Sequence, residues 1–401
     1  MRTVKAQIVI VGGGIAGLWA LRELRRRNYH AVLVEKTALG ANQTLASQGM
    51  IHGGQRYKLP GKKSKHAALI EPMPAIWSDC LAGMGDVDLS STKVLSPQQF
   101  MWSPGGFGKE GLGFVGSILS FLASKAVKAK TKKLPPEEWP EVFRVTNDFR
   151  GQVYKMPEVV LDTKSLLQSL SRPDGDYIHK VTITEIIRGD DKVDRLIGNS
   201  GDGEPITLEA DAFVFAAGTF NEQAAISLGV GKAATQRRPL RQVFVGPLPH
   251  RLYAHCIKAD PRPRVTVTAH PISEGAYVWY LGGLVAVRGA ETSDDEAIDF
   301  AKQEMKALFP SIEWDRLHWG TWYGDRAEPA ASDGFLPDGP AFTTVANGAI
   351  AWPTKLTFAP ALGTLVADWV HGIGIEAVPA DPFDLPACPV GRYPWEGHTW
   401  A

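Results

Sequence analysis

Cysteine is nearly missing from this 401-residue chain: the three that occur, Cys80, Cys256 and Cys388, stand far apart and form no CxxC pair. That pattern argues against a disulfide framework, a zinc site or a dithiol redox centre, and it predicts a reducing, cytoplasmic setting. An excess of one charge is missing too. With 43 Lys plus Arg against 43 Asp plus Glu, no whole-molecule field draws nucleic acid or another polyanion, so recognition of charge has to be local. No apolar run approaches the ~20 residues of a membrane-spanning helix. The first strand begins so close to Met1 that no signal peptide is expected. The chain also lacks HExxH, GxSxG and P-loop motifs, which leaves hydrolase and kinase readings without residues, and no metal site is expected.

What is present is a large apolar inventory. Hydrophobic residues make up 44% and charged residues 21%, with 12 Trp and 16 Phe, the profile of a globular protein with a substantial core. The length exceeds what one core usually serves, so two domains sharing a cleft are expected.

The opening AQIVIVGGGIAGLWALRELRRRNYHAVLVEK predicts a strand over Ala6–Val11, a glycine turn, a helix with Ile15, Leu18, Leu21 and Leu24 on one stripe, and a strand ending at Glu35. Gly12, Gly14 and Gly17 form GxGxxG between strand and helix, with the acid roughly twenty residues on. The glycines permit the turn, let backbone approach a pyrophosphate and let the helix pack on the strand. The N–H groups of Ile15, Ala16 and Gly17 at the helix start then face the negative charge, and Glu35, followed by Lys36, accepts from ribose hydroxyls. NAD and FAD share this fingerprint, and it does not choose between them.

Further on, the polar, glycine-rich stretch Thr37–Lys65 predicts a long functional loop. Phe114–Ala126 predicts an amphipathic helix ending in lysines, which suits either a solvated end or contact with an anionic membrane surface. A helix is expected over Lys164–Leu170, a β-meander over Tyr177–Phe215 and strands between Pro239 and Val287. A helix over Asp294–Leu308 follows, and a last one starts near Pro360 and is capped by Gly372.

Three segments narrow the cofactor: Ser47-Gln48-Gly49-Met50-Ile51-His52-Gly53-Gly54 with Arg56 and Tyr57, the strand running into Ala216-Ala217-Gly218, and Trp352–Gly363 with Lys355, Leu356 and Thr357. With the opening unit they resemble the FAD-dependent D-amino-acid oxidase superfamily, which includes glycine oxidase, sarcosine oxidase and glycerol-3-phosphate dehydrogenase. The resemblance spans most of the chain. It implies an α/β protein: a Rossmann-like FAD-binding domain of the GR2/DAO type with an inserted α+β substrate domain on a mixed antiparallel sheet. The cofactor domain is expected over 1–75, 150–235 and 320–380, the substrate domain over 76–149 and 236–319, and a C-terminal tail over 381–401.

The same resemblance implies non-covalent FAD, with Thr44, Ser47, Gln48 and Gly49 near the pyrophosphate, ribityl chain or flavin edge, and His52 beside the ring. Arg326 matches an arginine that holds a substrate carboxylate in amino-acid-oxidising members, although Ala327 stands where proline commonly follows. Its alternative is an ion pair with Glu328 or Asp333. Lys355 and the last helix would stabilise anionic reduced flavin. His52, Arg326, Lys355, His270 and Tyr280 form the catalytic set, with Tyr253, His255, Tyr277, Trp279 and Tyr323 as further pocket residues. The expected activity is removal of a hydride from a C–N or C–O centre of a small anionic molecule. The alternatives are an NAD-dependent dehydrogenase, or a flavin-fold subunit or tRNA-modifying relative without its own oxidase activity. No nucleic acid partner is expected, and a homo-oligomer is compatible with the sequence.

Overall fold

Ile8 and Ile10 are buried in one apolar core while Val9 and Val11 are buried in another, so β1 (Arg2–Val11) is covered on both faces, as a central parallel strand requires. The computed structural model describes residues 2–52, 71–104, 131–146, 149–257, 262–330 and 339–400. After β1 come α1 (Ile15–Arg26), β2 (Ala31–Glu35), α2 (Met73–Leu81), β3 (Val94–Ser96), β4 (Gln99–Ser103), β5 (Lys132–Lys133), α3 (Glu141–Val145), β6 (Gln152–Met156), β7 (Val160–Leu161) and α4 (Thr163–Ser171). The meander β8 (Ile178–Arg188), β9 (Val193–Ser200) and β10 (Pro205–Phe215) leads to α5 (Asn221–Ser227), β11 (Thr235–Leu248), β12 (Tyr253–Cys256), β13 (Val265–Ser273) and β14 (Ala276–Gly282). The chain continues with α6 (Leu284–Gly289), α7 (Asp294–Leu308), β15 (His318–Pro329), β16 (Ala341–Val345), β17 (Gly348–Trp352) and α8 (Ala359–Gly372).

Two large sheets result. In the first, β8, β2, β1, β10 and β17 run parallel in that order, β16 lies antiparallel on β17, and β9 joins the outer parts of β8 and β10. α1 and α8 pack together on one face of this sheet. The second sheet has the order β15-β11-β14-β13-β12-β4-β6-β5 and is antiparallel except where β12 meets β4. Its two faces differ. Phe244, Val278 and Tyr280 join the core of α1, α8 and the first sheet, whereas Val243, Trp279 and Leu281 join a separate core under α7. The first of these is the inner face.

Several elements depart from expectation for identifiable reasons. β1 starts at Arg2, because its outer half pairs along β10 from Arg2↔Ile206 onward. Leu284–Gly289 is helical rather than strand: Gly283, at φ 76°, turns the chain out of the sheet, and a Cβ there would lie 2.6 Å from the Pro263 carbonyl oxygen. Gly372 stays inside α8, and the left-handed turn falls on Gly374. β6 and β15, within ranges expected for the cofactor domain, pair in the second sheet. Residues 381–400 are no loose tail. Gly391 N–H donates to Leu39 carbonyl and Lys180 N–H to Pro386 carbonyl, while Tyr393 and Trp395 are buried. The expected helix Phe114–Ala126 lies outside the described residues.

Candidate active site

The C-terminal ends of β1, β2 and β10 meet at one edge of the first sheet, the crevice where open α/β sheets bind ligands. Gly12 has φ 112°, and a Cβ there would lie 2.4 Å from the Ala216 carbonyl oxygen; a Cβ on Gly17 would lie 1.9 Å from the Gly12 oxygen. Only glycine lets α1 start this close to the strand ends. α1 has no acidic residue in its first turn and no side-chain cap from Gly14, so its positive end is neutralised by nothing from that turn. Thr44 Oγ1 accepts from Ile15 N–H at 3.1 Å. Glu35 accepts from Gly13 N–H at 2.8 Å and from Thr37 N–H at 3.0 Å, and its carboxylate oxygens retain lone pairs for further donors. Lys36 is exposed. A glycine cradle, an open helix N-terminus and a carboxylate at the end of β2 are the donor and acceptor set that a dinucleotide needs, so these residues fit FAD.

The loop after Leu39 carries the second group of residues. Ser47 Oγ donates to the Thr44 carbonyl at 2.8 Å. Gln48 crosses to the second sheet, its amide donating to the carbonyls of Tyr280 at 3.1 Å and Thr266 at 3.3 Å. Gly49 has φ 64°, and a Cβ would lie 2.1 Å from the Leu161 carbonyl oxygen. His52 N–H donates to Thr357 Oγ1 at 2.9 Å, and His52 Nδ1 lies 3.2 Å from Glu158 Oε2. Gly53, Gly54, Arg56, Tyr57 and Asp333 lie outside the described residues.

Thr357 also anchors the closing turn Leu356–Phe358: its carbonyl accepts from the Trp77 indole N–H at 2.9 Å, and its side chain is buried. Lys355 stands at the N-terminus of this turn with Nζ 5.6 Å from the centroid of the Phe358 ring. Thus His52, Lys355 and Thr357 converge. At the end of β10, Ala217 N–H donates to Asn221 Oδ1, whose Nδ2 donates to Ala351 carbonyl. Asn221 ties β10 to β17 and was not anticipated; a buried amide at a helix start after Gly-Thr-Phe is its only sequence signal. Gly218 has φ 58° and open space where a Cβ would be.

Arg326 lies on β15, which packs on the 218–220 turn, and neighbouring Asp325 receives the Gln43 amide on its carbonyl at 2.8 Å. The alternative pair with Glu328 does not form. Glu328 is instead gripped by Arg238, the residue opposite Arg326 on β11, at 2.5 and 2.7 Å. Arg326 Nε is buried with no hydrogen-bond partner among the described residues. Burial, reinforced by Arg238 and opposed by Glu328, brings the guanidinium down to about 10. A desolvated cation without an anion is the chemical character of an anion site.

The remaining candidates separate. His270 and Tyr280 are fully buried against Trp395, with ring centroids at 4.5 and 5.0 Å; His270 also faces Tyr393, and the Tyr280 hydroxyl donates to Gln242 at 2.8 Å. The C-terminal segment therefore takes both into the core. Tyr277 and Trp279 belong to the core under α7, and Tyr323 is half exposed beneath Arg241. Tyr253 and His255 remain on the inner face, His255 with its ring 5.9 Å from that of His52. A recess of about 530 Å³ lined by Arg27, Tyr29 and His371 lies at the opposite end of α1 from the glycine turn, away from all of these groups.

Comparison with known proteins identifies the family of the chain. Residues 7–369 match the family described as FAD dependent oxidoreductase (DAO). A probable FAD-dependent oxidoreductase of Pseudomonas aeruginosa is 38% identical over 401 residues, covering 100% of this chain and 98% of its own. The crystal structure of an FAD-dependent oxidoreductase from that organism superposes with a TM-score of 0.79 at 34% identity, over 99% of both chains. Glycine oxidase from Bacillus cereus gives a TM-score of 0.63 at 16% identity, over 92% of this chain and 95% of its own. Glycerol-3-phosphate dehydrogenase from Bacillus halodurans, complexed with FAD, gives 0.56 at 16% identity, over 93% and 66%. The last two likenesses establish the fold alone.

Proposed function

The chain belongs to the DAO family of FAD-dependent oxidoreductases, and on that premise we propose that it oxidises a C–N or C–O centre of a small anionic substrate. FAD replaces the nicotinamide alternative. When bound, the flavin supplies the hydride-accepting ring, and the residues of this chain supply binding, orientation and electrostatics. In this reading Gly12, Gly14, Gly17 and the start of α1 hold the pyrophosphate, Glu35 meets the adenosine ribose, and Ser47, Gln48 and Gly49 line the path to the ring. The first sheet carries the cofactor and the inner face of the second carries the substrate.

Arg326 carries the substrate half of the proposal. Its Nε is buried and unpartnered while the nearby carboxylate of Glu328 is committed to Arg238, so an incoming carboxylate or phosphate relieves both desolvation and Arg238 repulsion. Lys355, at the turn before α8, adds positive potential where negative charge accumulates. His52 is fixed by Thr357 through its main chain and by Glu158 through its ring. It is therefore placed to take a proton from an alcohol or ammonium substrate, the base role that hydride loss from a C–O centre demands. The glycine oxidase and glycerol-3-phosphate dehydrogenase likenesses are compatible with either bond type.

R326L tests the assignment. It should raise KM for the substrate found by anaerobic bleaching of the flavin by about ten- to a hundredfold, the scale of a lost charged hydrogen-bonded contact, with flavin content unchanged. Loss of flavin at unchanged KM would move Arg326 to the cofactor, and unchanged kinetics would remove it from the site.

A further inference from the structure

Strands β4, β12, β13 and β14 bring a row of uncharged polar side chains to the inner face of the second sheet. In register, Thr266 stands opposite His255, Thr268 opposite Tyr253, and Tyr280 opposite Thr268. Met101 pairs with His255, which places Gln99, two residues earlier, on the same face. Gln99 and Thr268 are both 0% exposed.

Hydrogen bonds orient the row. His255 Nε2 lies 3.2 Å from Gln99 Oε1, and its Nδ1 lies 2.8 Å from Thr266 Oγ1. A carboxamide oxygen only accepts, so Nε2 carries the proton and Nδ1 accepts from the Thr266 hydroxyl. This turns the Gln99 NH₂ away from His255. Gln99 Nε2 and the Thr268 hydroxyl then have no hydrogen-bond partner among the described residues, despite complete burial, a costly state that native interiors keep for a reason. The row borders the site already described: the His52 ring is 5.9 Å from His255, and Gln48 donates to the carbonyls of Thr266 and Tyr280.

We propose that this row is a subsite for a neutral, oxygen-bearing group of the substrate, a carboxamide, with Gln99 and Thr268 setting specificity. The inference rests on the oxidoreductase reading above and deepens it. Gln99 N–H donates to the amide carbonyl, and the Thr268 hydroxyl accepts from the amide N–H. A carboxylate is disfavoured here, because β4, β12, β13 and β14 carry no Lys or Arg, and neutral donors alone do not repay the solvation that a buried charge loses. The anion of the substrate belongs to Arg326 and its amide to this row.

The purified holoenzyme is titrated calorimetrically with two matched pairs that each keep one carboxylate for Arg326, malonamate against malonate and succinamate against succinate, while absorbance reports flavin in each sample. Each amide should bind at least about tenfold more tightly than its carboxylate. T268V and Q99L should each abolish that preference with flavin content and far-UV circular dichroism unchanged. T268V is nearly isosteric and carries the test even where Q99L does not fold. Absence of amide preference in the wild type, or its survival in T268V, overturns the subsite. A yellow protein without the preference sinks the subsite alone, whereas one that retains it but whose flavin is bleached anaerobically by no amine or hydroxy acid keeps the subsite and sinks the C–N or C–O oxidation proposed above.

Discussion

His270 is a polar residue placed where nothing polar answers it: both ring nitrogens are buried without a partner among the described residues, and burial holds its imidazole down to about 3. The folded chain keeps it neutral, whereas an unfolded histidine titrates near 6.5. The unfolded state therefore binds the extra proton between those values. Stability is complete above about pH 6.5 and is lost as pH falls towards 3, by up to ~1.4 kcal/mol per pH unit for this group. His30 and His179, both lowered chiefly by burial, add to the loss with the same sign. H270F should be neutral to stabilising at pH 7.5, since it removes two unpaired atoms, and should unfold with a shallower pH dependence between 6.5 and 5 in thermal melts. Parallel pH slopes for the two proteins would refute this account. The family resemblance put His270 in the catalytic set, and on β13 it does face inward, opposite Val278. What the resemblance does not contain is Trp395, supplied from the far end of the chain. The alternative pairing of Arg326 with Glu328 fails for a similar reason: Glu328 is near in sequence, but Arg238 stands across the β11–β15 ladder.

Elements were most readable where the information is local. α7 follows from Ser293 and Glu296, which form a reciprocal capping box, and from Ala297, Ala301, Met305 and Leu308 on one buried stripe. The glycine turn and Glu35 were readable because the fingerprint is contiguous. α6 was not: Leu-Val-Ala-Val reads as strand, and only Gly283 diverts it. The C-terminal segment was least readable of all, having no periodicity, because its order comes from partners elsewhere. Leu39 bridges Val390, Lys164 Nζ binds Glu396 at 2.8 Å, and Lys164 N–H donates to the Tyr393 hydroxyl at 3.0 Å. Tyr393 and Trp395 then stack at 4.6 Å and cover Tyr280 and His270. This segment is a clasp between the two sheets. W395A should accordingly cost roughly 3–5 kcal/mol in denaturant unfolding, the range for truncating a buried Trp, and an effect below about 1 kcal/mol would show the clasp to be dispensable.

The cofactor reading depends on parts of the chain that only folding assembles. Gly12 to Glu35 come from the opening unit, Thr44 to His52 from the loop, and Lys355 to Thr357 from the end of the first sheet. The loop ties the two sheets directly, through Gln48 to β13 and β14, Gln43 to β15 and His52 to Thr357. The core shared by α1, α8 and the inner face of the second sheet joins them again. With contacts of this kind crossing between the sheets, neither half retains its buried surface once the other opens. FAD bound across the loop should therefore raise the stability of the whole molecule, by about 2.7 kcal/mol at a free concentration a hundred times its Kd. Calorimetry of flavin-loaded and flavin-stripped protein should show a single transition that moves upward with FAD. Two transitions, of which only one responds to FAD, would mean that the loop does not couple the sheets and that the substrate half folds on its own.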